Sequence, residues 1–215
     1  MFITLAIATT GVSPEQDHVL ALSTAGAYTG YRIYQCPGVI PAKATEHHGI
    51  TKALSNWGAP AAQMLTDLQN LVAEADRRGV PFVMFNAAWS WAFFQAAADR
   101  AGIELVAPVA GVIDIQVLDK ALVGSRSRRA LPSVLSEAGF TGQAPTDPVG
   151  ISQVLVGLAQ RVAGAPALHG KDVVAESARL YYEQEEETVA YRASQSLAYR
   201  PTLPYPGVVA PATVR

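Results

Sequence analysis

A chain of 215 residues, half of them apolar and 16% charged, is long enough for one well-buried domain with an extension and too short for a second full domain. A formal net charge of -2 gives no global pull toward polyanions, so nucleic-acid contact must come from a local basic patch. The single cysteine, Cys36, excludes an internal disulfide and a cysteine zinc site, and reads as a buried, inert thiol in a reducing cytoplasm.

No charged leader precedes a signal-length apolar run, and no stretch reaches the roughly 18 to 20 apolar residues of a membrane helix. A soluble, cytoplasmic protein without membrane contact is expected. Residues 2–11, FITLAIATTG, read as a central strand that ends in a turn-rich loop. Residues 18–27 and 31–36 read as two more strands, and their short links predict an antiparallel meander. A short helix follows over 41–47. Over 60–78, Leu65, Leu68, Leu71 and Val72 recur at helical steps up to Gly79, which predicts an amphipathic helix.

Residues 81–85, PFVMF, predict a buried strand, followed by a helix over 88–101 that Gly102 closes. A fifth strand over 112–115 leads into helices over 117–122, 129–138 and 151–162. Strands first, then strands alternating with helices, predict a mixed sheet covered on its faces by helices. Several α/β arrangements share that order. A last helix is predicted over 171–199, with its acidic run Glu183-Gln184-Glu185-Glu186-Glu187 facing solvent. The tail from Pro201, with Pro204, Pro206 and Pro211, reads as extended chain.

Five stretches narrow the choice. They are Ala6-Ile7-Ala8-Thr9-Thr10-Gly11, His48-Gly49-Ile50-Thr51, Phe85-Asn86-Ala87-Ala88-Trp89-Ser90, Val112-Ile113-Asp114 and Asp147-Pro148-Val149-Gly150-Ile151-Ser152. In that order and spacing they resemble the motifs of the DEDDh 3'-5' exonucleases, the family of the DNA polymerase III proofreading subunit. The resemblance covers roughly residues 1–165. It implies a ribonuclease H-like α/β domain there, a five-stranded mixed sheet with helices on both faces, with 166–215 as a C-terminal helical extension.

The family's first motif, Asp-x-Glu-Thr-Thr-Gly, keeps its frame here, but Ala6 and Ala8 stand at both acids. Ser90 stands at the acid of Asn-Ala-x-Phe-Asp. In the frame of His-x-Ala-x-x-Asp, Asp147 takes the histidine's place and Ser152 the acid's. Asp114 is kept. The family's reaction uses two Mg2+ or Mn2+ ions beside a 3'-terminal phosphodiester, one activating water and one stabilising the leaving oxygen. Hard cations need charged oxygen ligands. Alanines offer none, serines offer neutral hydroxyls, and one carboxylate cannot hold two dications against their repulsion. Asp147 is a poor substitute for the histidine base, since a carboxylate holds a proton far more weakly than an imidazole.

The resemblance therefore implies a catalytically inactive exonuclease-like protein with no cofactor, in which Asp114 holds a lone cation weakly or none. Mg2+ or Mn2+ enters only if activity survives through acids outside the motifs, such as Glu15, Asp119 or Asp147. Serines at two further sites make gradual natural loss a simpler account of Ala6 and Ala8 than deliberate inactivation.

Nucleic-acid contacts carried over from the family are Thr9, Thr10, Gly11, His48, Gly49, Ile50, Asn86 and Trp89. Arg126, Arg128 and Arg129 of GSRSRR, with Arg100 and Lys120 in the same half, form a candidate phosphate surface. Each also has a structural reading: strand closure for the threonines and glycine, loop packing for His48, a turn for Asn86, core packing for Trp89, and a solvated loop for the arginines. Three functions follow. The first is a pseudo-exonuclease that retains single-stranded or 3'-terminal DNA or RNA; the second, a protein-interaction module, with the C-terminal helix docked on its own core or on a second subunit; the third, an active nuclease with rearranged ligands.

Overall fold

Burial on both faces explains why the first strand holds only apolar residues and threonines. In the computed structural model, which describes residues 1–195 and 203–207, β1 (Ile3–Thr9) is buried at every position but one and carries no charge. β2 (Val19–Gly26) and β3 (Gly30–Ile33) continue as the expected antiparallel meander. β4 (Phe82–Met84) runs parallel to β1, and β5 (Val112–Asp114) parallel to β4. The order is β3-β2-β1-β4-β5, a five-stranded mixed sheet with β1 at its centre. β3 ends before the expected Cys36: the Tyr34 N–H still donates to the Leu20 carbonyl of β2 at 2.8 Å, but from there the chain turns toward Ala59. Tyr34 bridges Ala59, with the Gln35 N–H donating to the Ala59 carbonyl at 2.8 Å.

The helices follow in chain order. α1 (Ala42–His48) lies at the expected short helix, and α3 (Gln63–Arg78) lies where periodicity places it. Between them α2 (Lys52–Asn56) is an addition, started by the Thr51 side chain, which accepts from the Leu54 N–H at 3.0 Å. α4 (Ala87–Ala101), α5 (Ile115–Val123) and α6 (Leu131–Glu137) come next. α7 (Pro148–Ala163) starts three residues before the expected Ile151, since Asp147 caps it and Pro148 suits a first helical position. A single 3-10 turn, Pro166–Leu168, precedes α8 (Val173–Ser194). Of the C-terminal expectations, Leu197, Tyr199, Pro201 and Pro211 lie outside the described residues.

Strand alternation sorts the layers. Ile3, Leu5, Phe82 and Met84 join Leu68 and Val72 of α3, Phe93 and Phe94 of α4 and Tyr181 of α8 in one core. One residue out of phase, Val83 packs with Ile115, Val134 and Leu155 of α5, α6 and α7, and Thr4 reaches α7 as well. Helices thus cover both faces. Cys36 is buried, as expected.

α8 closes the β5 edge. Ser177 accepts from the Asp114 N–H at 2.9 Å, and the Tyr205 hydroxyl donates to the Val112 carbonyl at 3.2 Å. Backbone groups that an edge strand leaves unpaired are satisfied there by side chains. The acidic run of α8 does not face solvent throughout. Gln184 shares the helical face of Ser177 and Tyr181, is buried, and donates to the Val117 carbonyl at 2.9 Å. Among the described residues, no helix is long and apolar enough to cross a membrane.

Candidate functional site

Asp114 stands where β5 gives way to α5, and its side chain is 1% exposed. One carboxylate oxygen accepts from the Asn86 N–H at 3.0 Å and the Gln116 N–H at 2.9 Å; the other accepts from the Ala87 N–H at 2.7 Å. The residue therefore ties the start of α4 to the start of α5. Both helix N-termini favour negative charge at that point. Burial pushes the carboxyl above its ordinary value, opposed chiefly by the Ala87 N–H, the Arg128 charge and the other two N–H groups. Asn86, held in the left-handed region at φ 59, shapes the turn that aims these donors.

The positions on β1 and α7 meet across the sheet face. Ala6 and Ala8 are 6% and 4% exposed, and Ser152 is 1% exposed. The Ser152 hydroxyl donates to the Val149 carbonyl at 2.9 Å and lies 2.9 Å from the Ser23 hydroxyl. Thr4 donates to the Ser152 carbonyl at 2.8 Å. Small side chains on both sides let α7 settle directly on β1 and β2, and the hydroxyls satisfy one another. Asp147 is exposed and accepts from the Gly150 N–H at 2.9 Å, which makes it the cap of α7. Ser90, 6% exposed, sits in the first turn of α4.

The loop after β1 is bonded to itself. Thr9 donates to the Gly11 carbonyl at 2.7 Å, and Thr10 donates to Asp17 at 3.0 Å while accepting from the His18 N–H. A Cβ on Gly11 would collide with the Asp17 carboxylate, so the glycine permits that close approach. His48 accepts from the Ile50 N–H at 3.1 Å through Nδ1, which leaves Nε2–H to donate to the Thr9 carbonyl at 3.2 Å. Burial lowers its pKa. Thus Gly49 and Ile50 adjoin the Thr9 loop through this imidazole. Trp89, half-buried, donates its indole N–H to the Val12 carbonyl at 3.3 Å and packs edge-on to Phe93.

Sequence reasoning missed Asp17 and the role of Arg100. Arg100 clamps the same loop by donating to the Pro14 carbonyl at 2.9 Å and the Asp17 carbonyl at 3.2 Å. An acid four residues after Ser13, in the turn-rich stretch that follows Gly11, was the available signal for Asp17. The arginine cluster is divided. Arg129 forks onto Asp119 and also meets Glu137, Arg128 pairs with Glu185 at 3.1 Å and lies over the Tyr181 ring, and Arg126 is exposed. Lys120 pairs with Glu187.

No protein-family model matches the chain, and no curated protein is similar to it in sequence. Solved structures are similar. The nuclease domain of 3'hExo, a DEDDh family member, bound to rAMP, superposes at TM-score 0.63 with 13% identity over 76% of this chain and 92% of that one. E. coli Exonuclease I in complex with a dT13 oligonucleotide matches at TM-score 0.63 and 13% identity, over 77% of this chain and 41% of its own. Cell-death related nuclease 4 matches at TM-score 0.61 and 13% identity, over 77% and 64%. The chain shares its fold with these exonucleases. At such identity the likeness concerns the fold, and the chain spans less than half of Exonuclease I.

Within that exonuclease fold, the residues present do not fit a pair of dications. Ala6, Ala8, Ser90 and Ser152 bring no charge, and both Asp114 oxygens already accept backbone N–H groups. Among the described residues, no group of three His, Cys, Asp or Glu side chains is placed to hold a metal ion. Glu15, Asp119 and Asp147 do not come together as substitutes.

Proposed function

We propose that this exonuclease-fold protein works by binding and does not hydrolyse phosphodiesters. The carrying observation is the contact of Ser152 with Ser23 of β2, which together with the Thr4 bond from β1 turns the seam between α7 and these two strands into neutral, hydrogen-bonded packing. Hydrolysis by metal-bound water needs carboxylates at that seam. A nuclease with rearranged ligands finds no support in the placement of the acids.

Single-stranded or 3'-terminal nucleic acid is the first ligand to test. Fold neighbours were solved with rAMP and with a dT13 oligonucleotide, and replacing carboxylates by alanine and serine removes repulsion toward phosphate. The residues that would make contact are Gly49 and Trp89, beside the Thr9, Thr10 and Gly11 loop, with Arg126 exposed nearby in sequence to the paired Arg128 and Arg129. A second reading, a protein-interaction module, draws on a different observation. The hydroxyls of Thr9 and Thr10 and the His48 imidazole are engaged internally, whereas Tyr31, Leu54 and Trp57 are 48%, 44% and 90% exposed around the β3 edge.

Fluorescence anisotropy of a 3'-labelled single-stranded oligonucleotide at low salt, with Mn2+ and then with chelator, separates these readings. A stable rise in both conditions, lowered by added salt, is expected for the silent binder. No rise in either condition favours the protein module. A fall below the starting value with Mn2+ alone means label release, and it would overturn the non-hydrolytic reading.

A further inference from the structure

A cavity of about 550 Å3 lies among α5, α6, α7 and the 3-10 turn, away from the seam of β1 and α7. Its apolar walls include Ile115, Leu122, Val134, Leu158 and Val162. Its charged residues are Asp119, Glu137 and Arg161. Both acids turn to Arg129, which donates to Asp119 at 2.6 and 2.9 Å and to Glu137 at 2.9 Å. Arg161 is exposed in the last turn of α7 and has no hydrogen bond or ion pair with any described residue. Volumes of roughly 300 to 1,000 Å3, apolar walls and a few placed polar groups are the marks of small-molecule sites.

We propose that this cavity binds an amphiphilic carboxylate, with the apolar body between α5, α6 and α7 and the head on Arg161. A guanidinium fork matches a carboxylate in two hydrogen bonds. Asp119 and Glu137, although paired, keep negative charge in the lining and oppose a dianion such as a phosphate monoester more strongly than a monoanion. A neutral ligand would gain nothing from the Arg161 charge. The site involves none of Ala6, Ala8, Ser90, Asp114 or Ser152 and is independent of the proposed function.

Titration calorimetry of the full chain with decanoate, and with decanol as the uncharged counterpart, tests it. Saturable decanoate binding is expected, weakened at least tenfold in Arg161→Gln, with decanol affinity unchanged in that variant. Ala167→Trp, an exposed substitution on the cavity wall, should weaken both ligands. If Arg161 serves only the C-terminal turn of α7, Arg161→Gln lowers the melting temperature and leaves decanoate affinity as it was. That result, or the absence of saturable decanoate binding in the unaltered protein, overturns the proposal.

Discussion

The Ser152 hydroxyl lies 2.9 Å from the Ser23 hydroxyl, joining residues 129 positions apart in the chain. Because the site is closed to water, each hydroxyl depends on the other and on the Val149 carbonyl. Ser152→Ala should destabilise the fold by about 1–2 kcal/mol, the effect of leaving a buried hydroxyl without its partner. Ser152→Asp should destabilise by about 3–5 kcal/mol, as an unpaired carboxylate enters a buried seam. Urea unfolding measures both. A stable Ser152→Asp variant that gains stability from Mn2+ would show that the seam can still be a metal site.

Asp114 receives three backbone N–H groups at two helix starts. Asp114→Asn removes the charge and turns an amide NH2 toward one of these donors. A loss of about 2–4 kcal/mol is expected for charge-assisted bonds of this kind. Thermal melts of the parent protein with Mn2+ and with chelator should coincide. A rise in melting temperature with Mn2+ that Asp114→Asn abolishes would instead make Asp114 a ligand.

His48 carries a pH dependence with a defined sign. Burial holds its folded-state pKa below the ordinary value of 6.5, so the unfolded chain takes up the proton more readily. The stability it contributes is present above pH 6.5 and falls as pH drops through that value toward the lowered one. Glu176, whose Arg179 and Lys171 partners hold its pKa near 2, acts in a lower window, losing its contribution as pH falls from 4.5 toward 2. Denaturation free energies measured from pH 6.5 down to 4.5, inside the His48 window and above that of Glu176, should decline as pH falls in the parent and flatten in His48→Gln. An equal slope in both proteins would assign the effect to other groups, His18 first.

Arg129 and Arg126 should separate by assay. Arg129→Gln unpairs Asp119 and Glu137 and should cost about 1–3 kcal/mol of stability without changing oligonucleotide anisotropy. Exposed Arg126, if it meets phosphate, should on replacement by Ala reduce the slope of log affinity against log salt by about 1 while leaving the melt unaltered. The reverse pattern would place the phosphate surface on the acid-paired arginine.

Much of the architecture was legible because it is local. Helical steps of Leu65, Leu68 and Val72 mark α3, and Gly79 and Gly102 stop their helices in the left-handed region. The fold class was legible from motif order, since Thr9 to Gly11, Asn86, Asp114 and Asp147 each sit at the end of a strand or the start of a helix. The loop around Gly11 was less so. Its dependence on Asp17 and Arg100 is invisible until the chain turns back on itself.

The sequence by itself determined the order and type of the five strands and the longer helices, the neutrality of Ala6, Ala8, Ser90 and Ser152, and hence the lack of hard-cation ligands there. These follow from side-chain identity and from spacing within a few residues. Tertiary structure alone decided that Ser152 faces Ser23, that Asp114 caps two helices, that Gln184 turns inward, and that Arg129 is paired while Arg161 has no partner among the described residues. Each of these depends on which distant surfaces pack together, and burial then obliges every polar group brought inside to find a partner.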